Sequence, residues 1–435
     1  MIRANQEMAW WDEVNKSFRI SQIGQLTNLN LKSQDLHQLR LFPYGTSRFE
    51  NSDVTGVENE IKMDAGVDLE YKYSSNFKAN LSLNPDFATV EGDKEQINLS
   101  PFEIFFPEKR FFFQDGNELF NTRIRTFYSR RIGDMLYGGK MIGKSDKYQF
   151  NGLFASTSEN MDAGIPSATH TAFRIKRDIL KSSTLGFTYT DKVTDTATFR
   201  TFSLDYVMNL GKTWKLTGQF VASTPGDFAS HTAWFVRFAK ENNTYHYHIR
   251  YSNIGENFQD NVNQTGFIRD DDRHELDSDI SYKFWFDNAF RYLRLVGRNN
   301  IYWSQEGELR SWYLTWGGRL YMKNKLSLDI NYNNEYKLFD KKYYNNYLQF
   351  LAGYNSDESS NVRMSYRFGR NYDRDFKLLD FRAHFQVFGN LSVDYELHHL
   401  KYTPDADNNS TTLNILGLGY YFSKDLWVRV FTQHK

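Results

Sequence analysis

The sequence predicts an all-β protein: a large antiparallel transmembrane β-barrel, about 22 strands when complete, with an internal plug or constriction segment. Three observations predict it. Apolar and polar residues alternate with period 2 along most of the chain. Many alternating runs reach about 10 to 13 residues, roughly twice the globular mean. Short polar turns alternate with long loops, the habit of outer-membrane barrels. Composition agrees, because 17% aromatic residues coexist with a mean hydropathy of −0.65. Only alternate residues of a barrel strand face lipid, so the average stays polar. The balance of 53 basic and 53 acidic side chains argues against a nucleic-acid binder. The absence of cysteine excludes disulfides, thiolate metal sites and a thiol nucleophile. No 18-residue apolar run offers a membrane helix.

Taken in order, residues 1–12 (MIRANQEMAWWD) contain neither an apolar h-region nor a cleavage site. With no signal peptide in this chain, either the protein is cytoplasmic or the chain is a fragment of a longer exported one; the fragment is favoured, and the bacterial outer membrane is the expected location. Strands are expected from Leu39 onward. Between residues 61 and 73, Ile61, Met63, Ala65, Val67, Leu69, Tyr71 and Tyr73 alternate with Lys62, Asp64, Gly66, Asp68, Glu70 and Lys72. One face is apolar and the other charged. Similar runs span 148–157, 199–209, 245–253, 326–336, 376–388, 391–402 and 412–422. Short turns fall at 74–76, 145–147, 211–212, 241–243, 389–390 and 423–424, and long loops at 158–168, 254–275, 338–344 and 402–410. Counting 123–130 as a strand breaks the two-rim alternation; omitting it makes 87–135 one long connection. The parse of roughly 21 strands is odd, whereas a bacterial single-chain barrel needs an even number. Truncation at both ends is the expectation. A soluble sandwich would turn its apolar face inward, and a propeller would show a blade repeat, which is not found.

Several motifs invite chemistry. Gly138 to Ser145 satisfies the phosphate-loop pattern G-x-x-x-x-G-K-S, but that loop needs a helix after it, and here another alternating strand follows. Asp270, Asp271 and Asp272 could hold Ca²⁺, yet EF-hand spacing is missing and a solvated loop tip suffices. His246 and His248 share a strand face and His398 and His399 are adjacent, neither pair with a third ligand. No metal or cofactor is expected. No G-x-S-x-G elbow occurs, so an enzyme is the less favoured expectation.

The segment 84–120 stands apart, with Phe102, Phe105, Phe106, Phe111, Phe112 and Phe113 set among Glu103, Glu108, Lys109 and Arg110. Ordering a loop costs roughly 1–2 kcal/mol per residue, so such density implies burial. Residues 87–135 are expected to form a plug held by charge pairs, or a binding constriction built from the same residues. The candidate binding residues are Glu91, Asp93, Asn98, Glu103, Glu108, Lys109, Arg110, Arg130 and Arg131.

Here a resemblance enters. Asn84-Pro85-Asp86-Phe87, Val90-Glu91-Gly92-Asp93, Asn98-Leu99, Phe105-Phe106-Pro107-Glu108-Lys109-Arg110 and Tyr128-Ser129-Arg130-Arg131-Ile132-Gly133 resemble an uncharacterised outer-membrane family. Its members carry a carbohydrate-binding module of the family 9 type before a large β-barrel domain of unknown function, and some are labelled membrane-associated hydrolases. Arg3, Asn5-Gln6-Glu7 and Trp10-Trp11 resemble the tail of that module; Gly24 to Leu29 with Pro43-Tyr44 resemble the barrel entry. This divides the chain into a module tail and linker (1–38) and a barrel (39–435). The body of the module is absent, so its glycan binding does not transfer. Phe111 replaces the usual Pro and Asp115 the usual Glu, and the family offers no catalytic residue to carry over. The resulting expectation is passage or capture of a polar, glycan-related solute, with outer-membrane lipid as partner. The alternatives are a membrane-bound hydrolase with its site at the plug or wall, and a structural anchor for a periplasmic module.

Overall fold

Period-2 patterning becomes strands throughout. The computed structural model describes residues 37–52, 57–85, 93–161, 164–356, 358, 360–404, 410–423 and 426–435. The expected module tail up to residue 36 lies outside them. Strands β1 (Gln38–Ser52), β2 (Val57–Ser74) and β3 (Phe77–Leu83) precede residues 84–134, which hold helix α1 (Phe111–Gln114). There follow β4 (Met135–Ser145), β5 (Tyr148–Thr157), β6 (Ala168–Ile179), β7 (Ser183–Val193), β8 (Thr198–Leu210) and β9 (Trp214–Thr224). β10 (Thr232–Glu241) and β11 (Tyr245–Ile254) lead to residues 255–272 and helix α2 (Phe258–Val262). Next are β12 (Arg273–Trp285), β13 (Phe290–Trp303), β14 (Leu309–Met322), β15 (Leu326–Leu338) and β16 (Lys342–Tyr354). The last are β17 (Asn361–Asn371), β18 (Arg374–Val387), β19 (Leu391–Thr403), β20 (Ser410–Tyr421) and β21 (Trp427–His434). Among the described residues these 21 strands belong to one sheet. The all-β, antiparallel barrel class read from the sequence is the class of fold found.

Two compact units divide the chain. The first comprises the described residues within 37–85, 105–237 and 252–273, and its β1 to β9 pair antiparallel, each with the next. The second comprises 93–104, 238–251 and 274–435, and its β12 to β21 pair in the same way. Both units are inside-out relative to a soluble sandwich. Large apolar side chains stand exposed at alternate positions, such as Phe202 and Leu204 on β8 or Leu328, Ile330 and Tyr332 on β15. The opposite face buries polar groups: Glu70, Lys140, His170 and Arg174 in one unit, Arg250, Glu275 and His398 in the other. Hydrophobic burial alone would produce the reverse.

Most strand boundaries match the alternation, with β5 exact. One expectation is corrected. Residues 338–344 do not form a long loop, because Tyr336 pairs with Tyr344 and Lys337 with Tyr343, leaving 339–341 to connect β15 and β16. Of the two readings open for residues 123–130, the structure gives the connection and not the strand; the segment makes a single bridge, Arg125 to Phe267. The phosphate-loop pattern lies within β4, as a strand.

Candidate functional site

A long irregular segment can be buried only if its backbone groups find partners. In the first unit, residues 105–134 find them on the polar face of the sheet, strand by strand. Lys140 of β4 donates its ammonium to the carbonyls of Phe112 and, at 3.0 Å, Asp115. Asn151 of β5 donates to Gly116 O at 3.0 Å, and Arg174 of β6 to Leu119 O at 3.1 Å. Thr190 of β7 reaches Thr126 O at 3.2 Å. Gln219 of β9 accepts from Ile124 N at 2.9 Å and donates to Ile124 O at 2.8 Å, like a strand neighbour. Gly116 makes the turn between α1 and residues 117–120 with φ 73°; a Cβ there would also meet Asn151 Nδ2 at 2.7 Å.

Between these bonds the aromatic side chains supply the packing. Phe112, Phe113, Phe120, Phe127 and Ile132 close over Leu153, Ala155 and Ala172 of the sheet. Ile124 joins Phe258 and Val262 of α2 over Val221, Ala233 and Phe235. Small residues on the inward face thus leave room for the covering rings. We predict that Gln219→Leu leaves the buried Ile124 N–H unpaired, while Ile124 O keeps Thr122 Oγ1 at 2.7 Å, costing about 1–3 kcal/mol. Urea unfolding in detergent with amide exchange at Ile124 checks this, and an unchanged midpoint would contradict it.

A charged clasp ties the ends of this segment. Glu108 accepts from its neighbours Lys109 N (2.9 Å) and Arg110 N (2.8 Å), from Arg110 Nη2 (2.7 Å) and from Ser129 Oγ (2.6 Å). Arg110 also donates to Ile132 O (2.7 Å) and Ser129 O (2.6 Å) and lies over the Phe113 ring at 4.3 Å. Burial pushes the Glu108 carboxyl up, but Arg110 and Ser129 outweigh it and hold it below the ordinary carboxylate range. Asp115 is likewise pushed up by burial and held low by Lys78, whose ammonium sits 2.5 Å from it and 2.6 Å from Glu70. Arg130 donates twice to Pro107 O, and Arg131 to Gly266 O at 3.1 Å. Lys109 O accepts from Gln114 at 2.8 Å. In residues 255–272, burial raises Asp271 to about 6, with Asp270 and Asp260 adding to the rise against a 2.8 Å bond from Gln259 N.

The second unit carries its own covering segment, residues 93–104. Ile97 and Leu99 pack on Phe376, Leu378 and Leu400. Lys94 meets Glu396 at 2.5 Å, and Asn371 donates to Leu99 O at 3.2 Å. Asn98 shapes the turn, donating to Phe102 O (2.8 Å) and accepting from Ser100 N (3.0 Å). Asp93 begins the described part and Glu103 is exposed, while Glu91 lies outside the described residues. Of the nine candidate residues, the fold brings Glu108, Arg110, Arg130 and Arg131 together as fasteners, while Asp93, Asn98 and Glu103 belong to the other unit.

Sheet residues the sequence reading did not single out, above all Lys140, Asn151, Arg174 and Gln219, hold the covering segment. Their only sequence signal is a large polar side chain at an inward position. His246 and His248 are linked at 2.9 Å, and His248 reaches Asp277 at 2.9 Å. Among the described residues no group of three or more His, Asp or Glu is arranged for a metal ion. Ser230, His231 and Asp227 cluster, but Ser230 Oγ bonds the Asp227 carboxylate directly and His231 Nδ1 faces both Ser230 Oγ and Asp227 O. The imidazole does not stand between acid and hydroxyl as a relay requires.

Sheet and covering segments define a protein of the large antiparallel β-barrel class, with long connections fastened to the polar face of the sheet in each unit. A family model described as Domain of unknown function (DUF5916) matches residues 37–159. No curated protein matches the chain. Among solved structures, OccK9 (OpdG) of Pseudomonas aeruginosa is similar at 11% identity, covering 91% of this chain and 97% of that one, with a TM-score of 0.39. OccAB4 of Acinetobacter baumannii is similar at 9% identity over 91% and 97%, TM-score 0.38. The P pilus usher (PapC) translocation pore is similar at 9% identity over 91% and 92%, TM-score 0.32.

Proposed function

We propose that this protein is an outer-membrane barrel that passes or captures a polar solute. One observation carries the reading: alternate side chains expose large apolar groups on one sheet face and bury Glu, Lys, Arg and His on the other. Such a sheet suits lipid outside and a polar lumen inside. Its apolar surface includes a groove of about 810 Å³ lined by Leu295, Trp316, Leu328, Ile330, Phe350 and Met364, of a chemistry that suits acyl chains. The covering segments would then narrow the lumen and set what enters. A glycan-related solute is the expectation that the family resemblance of the stretch from Asn84 to Gly133 brings, and it rests on no residue of this chain. In the second unit, Asp93 and Glu103 of its covering segment are the candidate contacts. Reconstitution in planar bilayers tests the proposal. Discrete conductance steps are expected, enlarged when residues 85–120 are deleted; a barrel sealed under all conditions would refute passage.

A further inference from the structure

The register of the second unit sets like charges face to face. On the polar face Lys283 stands opposite Arg294, and Arg294 opposite Arg319, over three consecutive strands. Further along the sheet Arg363 stands opposite Arg382. Neighbouring strands lie about 4.8 Å apart, and like charges directly opposite destabilise an antiparallel pair. In a chain with 53 charges of each sign, this is segregation and not excess.

Nearby carboxylates neutralise only part of the arrangement, pairing with Arg319 and Arg382. Asp329 takes Arg319 at 2.6 Å. Asp380 serves both Arg367 (3.0 Å) and His398 (2.7 Å), and Glu396 serves Lys94 (2.5 Å), His398 (3.3 Å) and Arg382 (3.4 Å). Asp279 takes Arg298 at 2.6 Å. Among the described residues no carboxylate lies within ion-pair distance of Lys283, Arg294 or Arg363. Arg294 donates to Ser281 Oγ at 3.1 Å and Arg363 to Ser356 O at 2.5 Å, both neutral acceptors. Guanidinium groups retain donors in a planar fork when bound this way, and that fork matches a carboxylate.

Two further features lie beside these cations. Arg319, Arg363 and Arg382, with Gln349 and the carboxylates Asp329 and Asp380, line a cavity of about 330 Å³, so three cations face two anions there. Two residues along on the same face, Trp285, Tyr292 and Tyr321 form an aromatic strip, with Tyr292 and Tyr321 stacked at 5.4 Å and 11°. Flat rings next to cations suit a solute with an anionic group on a less polar frame.

We propose that Lys283, Arg294, Arg319, Arg363 and Arg382 form a selectivity strip for carboxylate-bearing polar solutes, of which sugar acids are the simplest probe. The strip names the charge class of the solute in the channel reading above and rests on that reading. The test uses the whole chain and the triple variant Lys283→Gln/Arg294→Gln/Arg363→Gln, with the turn variant Lys212→Gln as control and circular dichroism to verify folding. In bilayers under a KCl gradient, the reversal potential should report preference for chloride, and the triple variant should lower the anion-to-cation permeability ratio by roughly threefold or more. Conductance with cation preference, or a ratio unmoved in the folded triple variant, overturns the strip and leaves the channel standing. If no current flows, the channel fails, and calorimetric titration in detergent with galacturonate against galactose decides the strip alone. Binding of the acid and not the neutral sugar, lost in the triple variant, supports it; equal or no binding of both overturns it.

Discussion

Arg110→Ala is expected to lower the stability of the first unit by about 3–5 kcal/mol, the cost of stranding one partner of a buried ion pair. The stranded partner is Glu108, whose side chain is 3% exposed against 13% for Arg110. Removing the guanidinium also takes a donor from the carbonyl of Ile132 and one of two from that of Ser129, which keeps Ile132 N, and uncovers Phe113. The double variant Glu108→Gln/Arg110→Ala should regain part of the loss, since no unpaired charge remains. Urea titration of the detergent-folded protein, followed by tryptophan fluorescence, reads both. A single variant no less stable than Lys212→Ala would show that the clasp does not hold the segment. Acid should imitate the mutation. The Glu108 carboxyl is held below its ordinary range, so its stabilising contribution is present above the unfolded-chain value and disappears as pH falls through the folded value.

How much of this was legible in the sequence follows from the range of each interaction. Side-chain alternation is local, so β5 could be read exactly and β11 to within one residue from 245–253, while the run 61–73 misses the first four residues of β2. The end of β15 was missed because Tyr336, Lys337 and Leu338 lead into polar residues that resemble a loop, whereas their partners Tyr344, Tyr343 and Lys342 lie just beyond the turn. The covering segment was visible as an anomaly of Phe and paired charge, but its fastening was not. Gln219 holds Ile124 from 95 residues away, and no local pattern indicates which inward side chain meets which carbonyl. The opposed cations are hidden for a related reason. Lys283, Arg294 and Arg319 are ordinary lumen-type residues until the register aligns them, and a slip of two residues would part them while leaving every face unchanged. Residues 93–104 and 105–134 look like one segment in sequence, yet they belong to different compact units, since Leu99 packs with Leu378 and Phe113 with Leu153.

Neighbouring positions on one strand offer the sharpest test of which face meets lipid. Ile330→Arg is expected to cost about 2–4 kcal/mol in lipid, the range for a cation on the outer face near the bilayer midplane. Ile330 is 49% exposed and sits near the middle of β15, among Trp316, Leu328, Tyr332 and Phe350. Asn331, the next residue, points to the opposite face, between Gly317 and Gln349 in register. Asn331→Arg should therefore fold nearly as well as the parent, because the new charge stays among polar groups. Folding into phospholipid vesicles, read by gel mobility of unheated samples across a urea series, separates the two. A soluble protein would give a different result, since an exposed Ile330 would accept arginine at almost no cost and crowding at Asn331 would be the larger defect. Equal tolerance of both variants would remove the lipid face, and with it the reason for placing buried Lys140, Arg174 and Arg250 inside a polar lumen.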